Sequence, residues 1–156
     1  MNNLERIQSK IIDREQLKNQ LAYWQFKSQQ IVFTNGCFDL LHLGHIDYLS
    51  KAKDLGDVLI IGVNTDDSVR RLKGKGRPIT DENSRSTIVA SLQFVNAVIL
   101  FDEDTPYELI RQVQPDVLVK GSDYKAEDIV GYDIVKAKGG KVVTIDYLEG
   151  YATKFF

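Results

Sequence analysis

Residues 58–63 read Val-Leu-Ile-Ile-Gly-Val, apolar at every position. A strand with one wet face alternates apolar and polar residues, because successive side chains point to opposite sides. A run without alternation suits a strand covered on both faces, the environment inside a parallel sheet sandwiched between helices. This segment restricts the chain to layered architectures with a buried sheet. Shorter apolar runs at 31–33, 97–101, 116–120 and 141–145 supply four more strands. Between them lie segments of helical character at 42–55, 66–72, 82–94, 106–114 and about 126–137. Five strands alternating with helices specify an α/β fold: a Rossmann-like open parallel five-stranded sheet flanked by helices, with right-handed crossovers.

Local signals set the expected ends. Asp13 is placed to cap a helix over 14–27, with Leu17, Leu21 and Trp24 on one face. Thr34-Asn35-Gly36 reads as the turn that ends the first strand. Gly56 suits the C-terminal cap of the 42–55 helix. Ile88, Leu92 and Val95 fall in register on the 82–94 helix, and Thr105 with Pro106 opens the next. Residues 73–78, Lys-Gly-Lys-Gly-Arg-Pro, form a basic loop. No repeat or linker divides the 156 residues, so a single domain is expected. Its N-terminal helical extension, about 1–29, either packs on the sheet or forms a homodimer contact.

Bulk properties exclude several functions. The net charge of -2 offers no general attraction for nucleic acid. Cys37 is the only cysteine, so no internal disulfide forms and a reducing compartment is expected. The N-terminus lacks the apolar stretch of a signal peptide, and no apolar run approaches the roughly 18 residues of a membrane span. A cytoplasmic protein follows as the expectation, with no membrane partner.

In open parallel sheets the ligand sits beyond the carboxyl ends of the strands. That rule selects the loops 34–45, 64–78 and 120–125. The first contains both histidines of the chain, His42 and His45, three residues apart at a helix start. Helix N–H groups and the macrodipole favour an anion there, and imidazole N–H groups can donate to phosphate oxygens that gain charge in a transition state. The same spacing also suits two surface residues or a metal pair. Structural zinc needs more nitrogen or sulfur ligands than this chain has beside them.

Phe33-Thr34-Asn35-Gly36-Cys37-Phe38-Asp39, followed by His42-Leu43-Gly44-His45, resembles the cytidylyltransferase-like nucleotidyltransferase family. Its hallmark is a G-x-F-D segment leading into H-x-G-H. Arg71-Leu72-Lys73-Gly74, Arg77-Pro78, Val119-Lys120-Gly121 and Asp123-Tyr124 are similar to the family's ADP-heptose-forming adenylyltransferase branch. The resemblance covers roughly residues 30–154. It implies in-line attack of a heptose 1-phosphate on the α-phosphorus of ATP, giving ADP-heptose and pyrophosphate. No protein nucleophile is needed, so catalysis is positioning and charge stabilisation.

The resemblance also implies roles. His42, His45 and Lys73 would be catalytic. Phe33, Thr34, Asn35, Gly36 and Phe38 would line the nucleotide path with the two histidines. Lys120, Gly121 and Asp123 would flank the nucleotide from the fourth strand. Asp39, Asp66, Lys73 and Arg85 would be the substrate-binding residues, Arg85 meeting the sugar phosphate through its bidentate fork. Asp66 equally suits a helix N-cap. Asp39 either positions an ion or orders its turn, and both stay open. Magnesium would be held mainly by phosphates, with no protein metal site.

Glu149-Gly150-Tyr151-Ala152-Thr153-Lys154 is similar to the family's second phosphate signature, so Glu149, Tyr151, Ala152 and Thr153 are further nucleotide candidates. Ala152 stands where serine is usual, and the chain stops at Phe156 before a full last helix. Tyr147-Leu148 replaces the Arg-Thr pair of cytidylyltransferases, which favours adenine over cytosine. Three alternatives remain: a glycerol-3-phosphate or phosphoamine cytidylyltransferase, a flavin adenylyltransferase, and a catalytically weak nucleotide-binding module.

Overall fold

A computed structural model describes residues 1–150. Five strands form one parallel sheet: β1 (Ile31–Gly36), β2 (Val58–Asn64), β3 (Ala97–Phe101), β4 (Val117–Gly121) and β5 (Lys141–Ile145), in the order β3-β2-β1-β4-β5. The helices are α1 (Asn3–Gln8), α2 (Arg14–Phe26), α3 (Leu43–Lys53), α4 (Asp66–Lys73), α5 (Glu82–Ala90), α6 (Tyr107–Val113) and α7 (Tyr132–Lys138), with a 3-10 turn at Ala126–Asp128. The predicted parallel five-stranded α/β architecture is the one observed.

The uninterrupted apolar run of β2 divides its side chains between two cores. Val58 and Ile60 join Leu17, Leu21 and Trp24 of α2, Leu109 and Ile110 of α6 and Val135 of α7. Leu59, Ile61 and Val63 join Tyr48, Leu49 and Ala52 of α3 and Val89 of α5 on the other face. Helices on both faces explain why no position of β2 is polar before Asn64. The N-terminal extension is tied to the sheet. Asp13 and Gln16 form a capping box at the start of α2, and Ile11 bridges in parallel to Val98 on the β3 edge. The bridge covers backbone groups that an edge strand otherwise leaves unpaired.

Several boundaries differ from expectation. Thr34-Asn35-Gly36 is not a turn: it continues β1, pairing along β2 as far as Gly36 opposite Val63. Helix α5 stops at Ala90, and its buried face is Arg85, Ser86, Val89 and Ala90, whereas Ile88 points to solvent. Asp66 is not the cap of α4; Thr65 is, accepting from the Ser68 amide. Gly56 does not cap α3, which ends at Lys53 with Asp54 as its C-cap. A Cβ on Gly56 would lie 2.7 Å from Val32 Cγ2 and 2.9 Å from the Gln30 carbonyl, so this glycine serves close approach to β1.

One local departure positions the functional site. The ladder between β1 and β4 pairs Val32 with Val117 and Phe33 with Leu118, and none is recorded beyond them. On their outer sides both strands stay paired to their ends, β1 to β2 and β4 to β5. The sheet therefore parts at its centre, between the strands where the order reverses, opening a crevice at the carboxyl edge. Gly56→Ala should destabilise the fold by about 1–3 kcal/mol through overpacking against β1. Urea unfolding should show a lower midpoint at unchanged slope; an unaltered midpoint would disprove the close-approach role.

Candidate active site

The parted strands are bridged by side chains instead of ladder bonds. Thr34 Oγ1 donates to the Val119 carbonyl at 3.0 Å and lies 3.0 Å from Tyr48 Oη. Lys120 Nζ reaches the Asn35 carbonyl at 3.4 Å. Burial, with Lys73 nearby, lowers the Lys120 pKa below the ordinary lysine value. Thr34 and Phe33 are fully buried, Thr34 across the gap and Phe33 in the core beneath it. Of the β1 candidates, Asn35 lines the crevice with Lys120. Gly36 leaves room for the Phe38 ring, which would meet a Cβ at 3.0 Å. Phe38 itself adopts a positive φ of 51°, turning the chain toward α3.

At the start of α3 the two histidines cap the helix reciprocally. His42 Nδ1 accepts from the Gly44 amide at 3.0 Å, and His45 Nδ1 accepts from the His42 amide at 3.2 Å. The ring centroids are 4.1 Å apart. A nitrogen that accepts a backbone N–H carries no proton, so each neutral ring holds its proton on Nε2. Both Nε2 atoms are buried. Burial first, then the neighbouring His42, lowers the His45 pKa to about 4, so it is neutral at pH 7. The expectation that helix amides bind the anion changes in one respect. The Gly44 and His45 amides are already engaged, and the donors that the rings themselves carry are the buried Nε2–H groups.

The aspartates and Arg85 take internal places. Both oxygens of Asp39 are engaged: Ile79 and Thr80 donate their amides at 2.8–2.9 Å and Arg77 Nη1 lies at 3.1 Å. Burial works to raise this carboxyl, but the two amides and Arg77 outweigh it and hold it below the usual range. Of its two expected roles, turn ordering is the one these contacts fill. Arg85, expected at the sugar phosphate, is only 1% exposed. Its Nε donates to the Thr80 carbonyl, Nη1 to the carbonyls of Cys37 and Asn64, and Nη2 to Asp66 Oδ1, all at 2.7–2.9 Å. The fork is engaged by four protein oxygens, and Asp66 is its ion-pair partner.

Lys73 ends α4 with its charge acting on both Cys37 and Lys120, which places it on the crevice side. Burial pushes the Cys37 thiol up, so it is no thiolate nucleophile. Opposite, Gly121 ends β4 and Asp123 follows it, and Asp123 accepts from Tyr147 Oη at 2.8 Å. Glu149 is exposed, and Tyr151, Ala152 and Thr153 lie outside the described residues. Sequence reasoning missed Tyr48, whose phenol braces Thr34; its position one helical turn after His45, on the buried face, is the signal that pointed to it. It also missed the Asp39 clamp by residues 77–80, for which no local motif exists.

On the other face of the sheet, the crevice adjoins a cleft of about 180 Å³ lined by Asp104, Thr105, Tyr124, Asp128 and Ile129. Asn35 and Lys120 line both the cleft and the crevice. Among the described residues, no group of three or more His, Cys, Asp or Glu could hold a metal ion, and no helix is long and apolar enough to cross a membrane.

Arg85→Met should cost about 3–5 kcal/mol of stability by stranding Asp66 and three carbonyls. A phosphate-binding arginine would instead raise a substrate KM and leave the urea midpoint in place. His45 adds pH dependence. Its folded pKa of about 4 lies below its ordinary 6.5. The stability it contributes is complete above pH 6.5 and is lost as pH falls through 6.5 toward 4. The melting temperature of the wild type should therefore fall more steeply over that window than that of His45→Gln; parallel curves would contradict a buried neutral His45.

A family model described as cytidylyltransferase-like matches residues 33–147. The Bifunctional protein HldE of Wolinella succinogenes is 50% identical over 146 residues, 94% of this chain and 30% of that protein. Its namesake in Caulobacter vibrioides is 53% identical over 144 residues, 92% of this chain and 30% of that protein. The chain thus spans about a third or less of the length of these relatives. A lipopolysaccharide core biosynthesis protein from Thermoplasma volcanium aligns with a TM-score of 0.63 at 36% identity, covering 77% of this chain and 97% of that one. A pantoate-beta-alanine ligase from Francisella tularensis, at 19% identity and a TM-score of 0.62 over 90% of this chain and 68% of that one, shares the fold alone. Fold, histidine motif and family model agree: the chain belongs to the cytidylyltransferase-like family of nucleotidyltransferases.

Proposed function

We propose that this chain transfers AMP from ATP to heptose 1-phosphate, giving ADP-heptose and pyrophosphate. The observation that carries the reading is the shared wall of Asn35 and Lys120 between the cleft and the crevice beside Phe38 and Tyr48. A nucleotidyl transfer needs two phosphates brought together: the nucleotide α-phosphate and the acceptor phosphate that attacks it. A cation on the boundary of two adjoining spaces neutralises both while they approach. The nucleotide would occupy the crevice side, with the Nε2–H groups of His42 and His45 donating to its phosphate oxygens. The sugar phosphate would occupy the cleft, where Asp104, Thr105 and Asp128 offer acceptors to hydroxyls. The acceptor oxygen then attacks the α-phosphorus in line, the bond to the β-phosphate oxygen breaks, and pyrophosphate leaves. Lys73 would add positive charge from the α4 side.

The heptose assignment is supported by the name shared with the HldE relatives and the Arg71–Gly74 and Val119–Gly121 segments. The adenine preference is supported by Tyr147-Leu148 in place of Arg-Thr. Magnesium would enter with ATP. The donor set fits an ion carried by phosphates, since the carboxylate of Asp39 is consumed by its own loop. Its contribution is to neutralise phosphate charge.

With ATP, magnesium and heptose 1-phosphate, the purified chain should release pyrophosphate stoichiometric with ADP-heptose. Turnover with CTP in preference to ATP would overturn the base assignment, and no turnover by folded protein would overturn the reaction. His42→Asn keeps a cap acceptor but moves the Nε2 donor. It should lower kcat about 10²–10³-fold at an unchanged melting temperature.

A further inference from the structure

The crevice that the proposed reading gives to the nucleotide is closed. The space among Asn35, Phe38, Tyr48, Lys120, Gly121 and Tyr147 amounts to only about 10 Å³. What fills it is the side chain of Tyr147, from the segment after β5. Its ring stacks on Tyr48 at 6.5 Å with an interplanar angle of 27°, and its hydroxyl donates to Asp123 at 2.8 Å. The phenol lies so close over Gly121 that a Cβ there would meet Tyr147 Oη at 2.0 Å. A bare glycine backbone beside a crevice is where a ligand can approach most closely. In this structure the phenol has taken that approach.

We propose that Tyr147 is a gate on the nucleotide side of the site, displaced from Asp123 and Gly121 when nucleotide enters. The inference rests on the reading that nucleotide binds beside His42 and His45. The partners define two states. In the closed state the hydroxyl is held by a carboxylate, a stronger bond than one between neutral groups. The ring stacks on Tyr48 from a segment that is not part of the sheet. In the open state Asp123 and the Gly121 backbone face the crevice. Binding to a site that is open for only a fraction of molecules weakens apparent affinity by that fraction. Tyr147 therefore sets affinity through a population and not through a contact.

The test uses the whole chain. Calorimetric titration with magnesium-ATP should give Tyr147→Phe an apparent Kd about tenfold tighter than wild type, because the Phe variant keeps the ring but loses the carboxylate bond. An unchanged or weaker Kd in Tyr147→Phe would overturn the gate, since a phenol that contacts nucleotide gives that result. Failure of the wild type to bind ATP at all would overturn the nucleotide-site reading itself, and the gate with it. A second measurement covers a misfolded variant. With all seven tyrosines of the wild type replaced by 3-fluorotyrosine, the fluorine resonance missing from the spectrum of Tyr147→Phe should shift on saturation with ATP. A resonance that stays in place while ATP binds would show that the phenol does not leave.

Discussion

The buried guanidinium of Arg85 is the interaction on which the carboxyl edge depends. A full charge at 1% exposure is costly unless its donors are met, and here four oxygens from two loops, a strand end and a helix start meet them. Those oxygens come from Cys37, Asn64, Asp66 and Thr80, segments with no ladder bonds among them at that edge. The Cys37 carbonyl lies five residues before His42, so the arginine orders the approach to the histidines without touching them. A second pair, Arg77 with Asp39, closes the same loop from its outer side. The two arginine–aspartate pairs turn irregular backbone into a fixed frame, which positioning catalysis requires.

The frame stands beside a sheet that is deliberately incomplete. Strands β1 and β4 separate after Phe33 and Leu118, and Thr34 and Lys120 span the gap with side chains. A separated pair of central strands is affordable because each keeps its other neighbour. The fold without its motifs does not specify chemistry: a ligase of 19% identity shares it. What belongs to this chain is the set of groups brought to the gap: two histidines, a lysine with a depressed pKa and a glycine-backed opening.

Much of the layered fold was readable because β2 obeys a simple rule: covered on both faces, it is apolar throughout. The N-terminal helix was readable because Leu17, Leu21 and Trp24 keep helical spacing and bury together. Errors arose where a residue's usual meaning was overridden by what surrounds it. Asn35-Gly36 has turn chemistry, yet β2 offers ladder partners and the strand runs on. Ile88 was placed on the core face of α5, but the helix is turned so that Arg85 faces inward, drawn by four acceptors, three of them 19–48 residues away. The helix start at the histidine pair was readable from its position. Its reciprocal capping was not, because a ring nitrogen as cap acceptor has no sequence signature. Arg85 and Asp39 have contacts 19–48 residues away, and no local pattern encodes those.

The reciprocal capping of His42 and His45 also bears on how the site lets go. Each ring is locked as a donor at Nε2, and His45 keeps no charge at neutral pH. A site that stabilised phosphate with imidazolium charge would hold a departing polyanion as firmly as an arriving one, and its grip would vary with every change in pH. Directional dipoles hold only what is aligned with them. If the pair meets phosphate as proposed, a pyrophosphate that left the line of attack would not be pursued by it, and turnover would escape the product trapping that a permanently cationic pocket would impose.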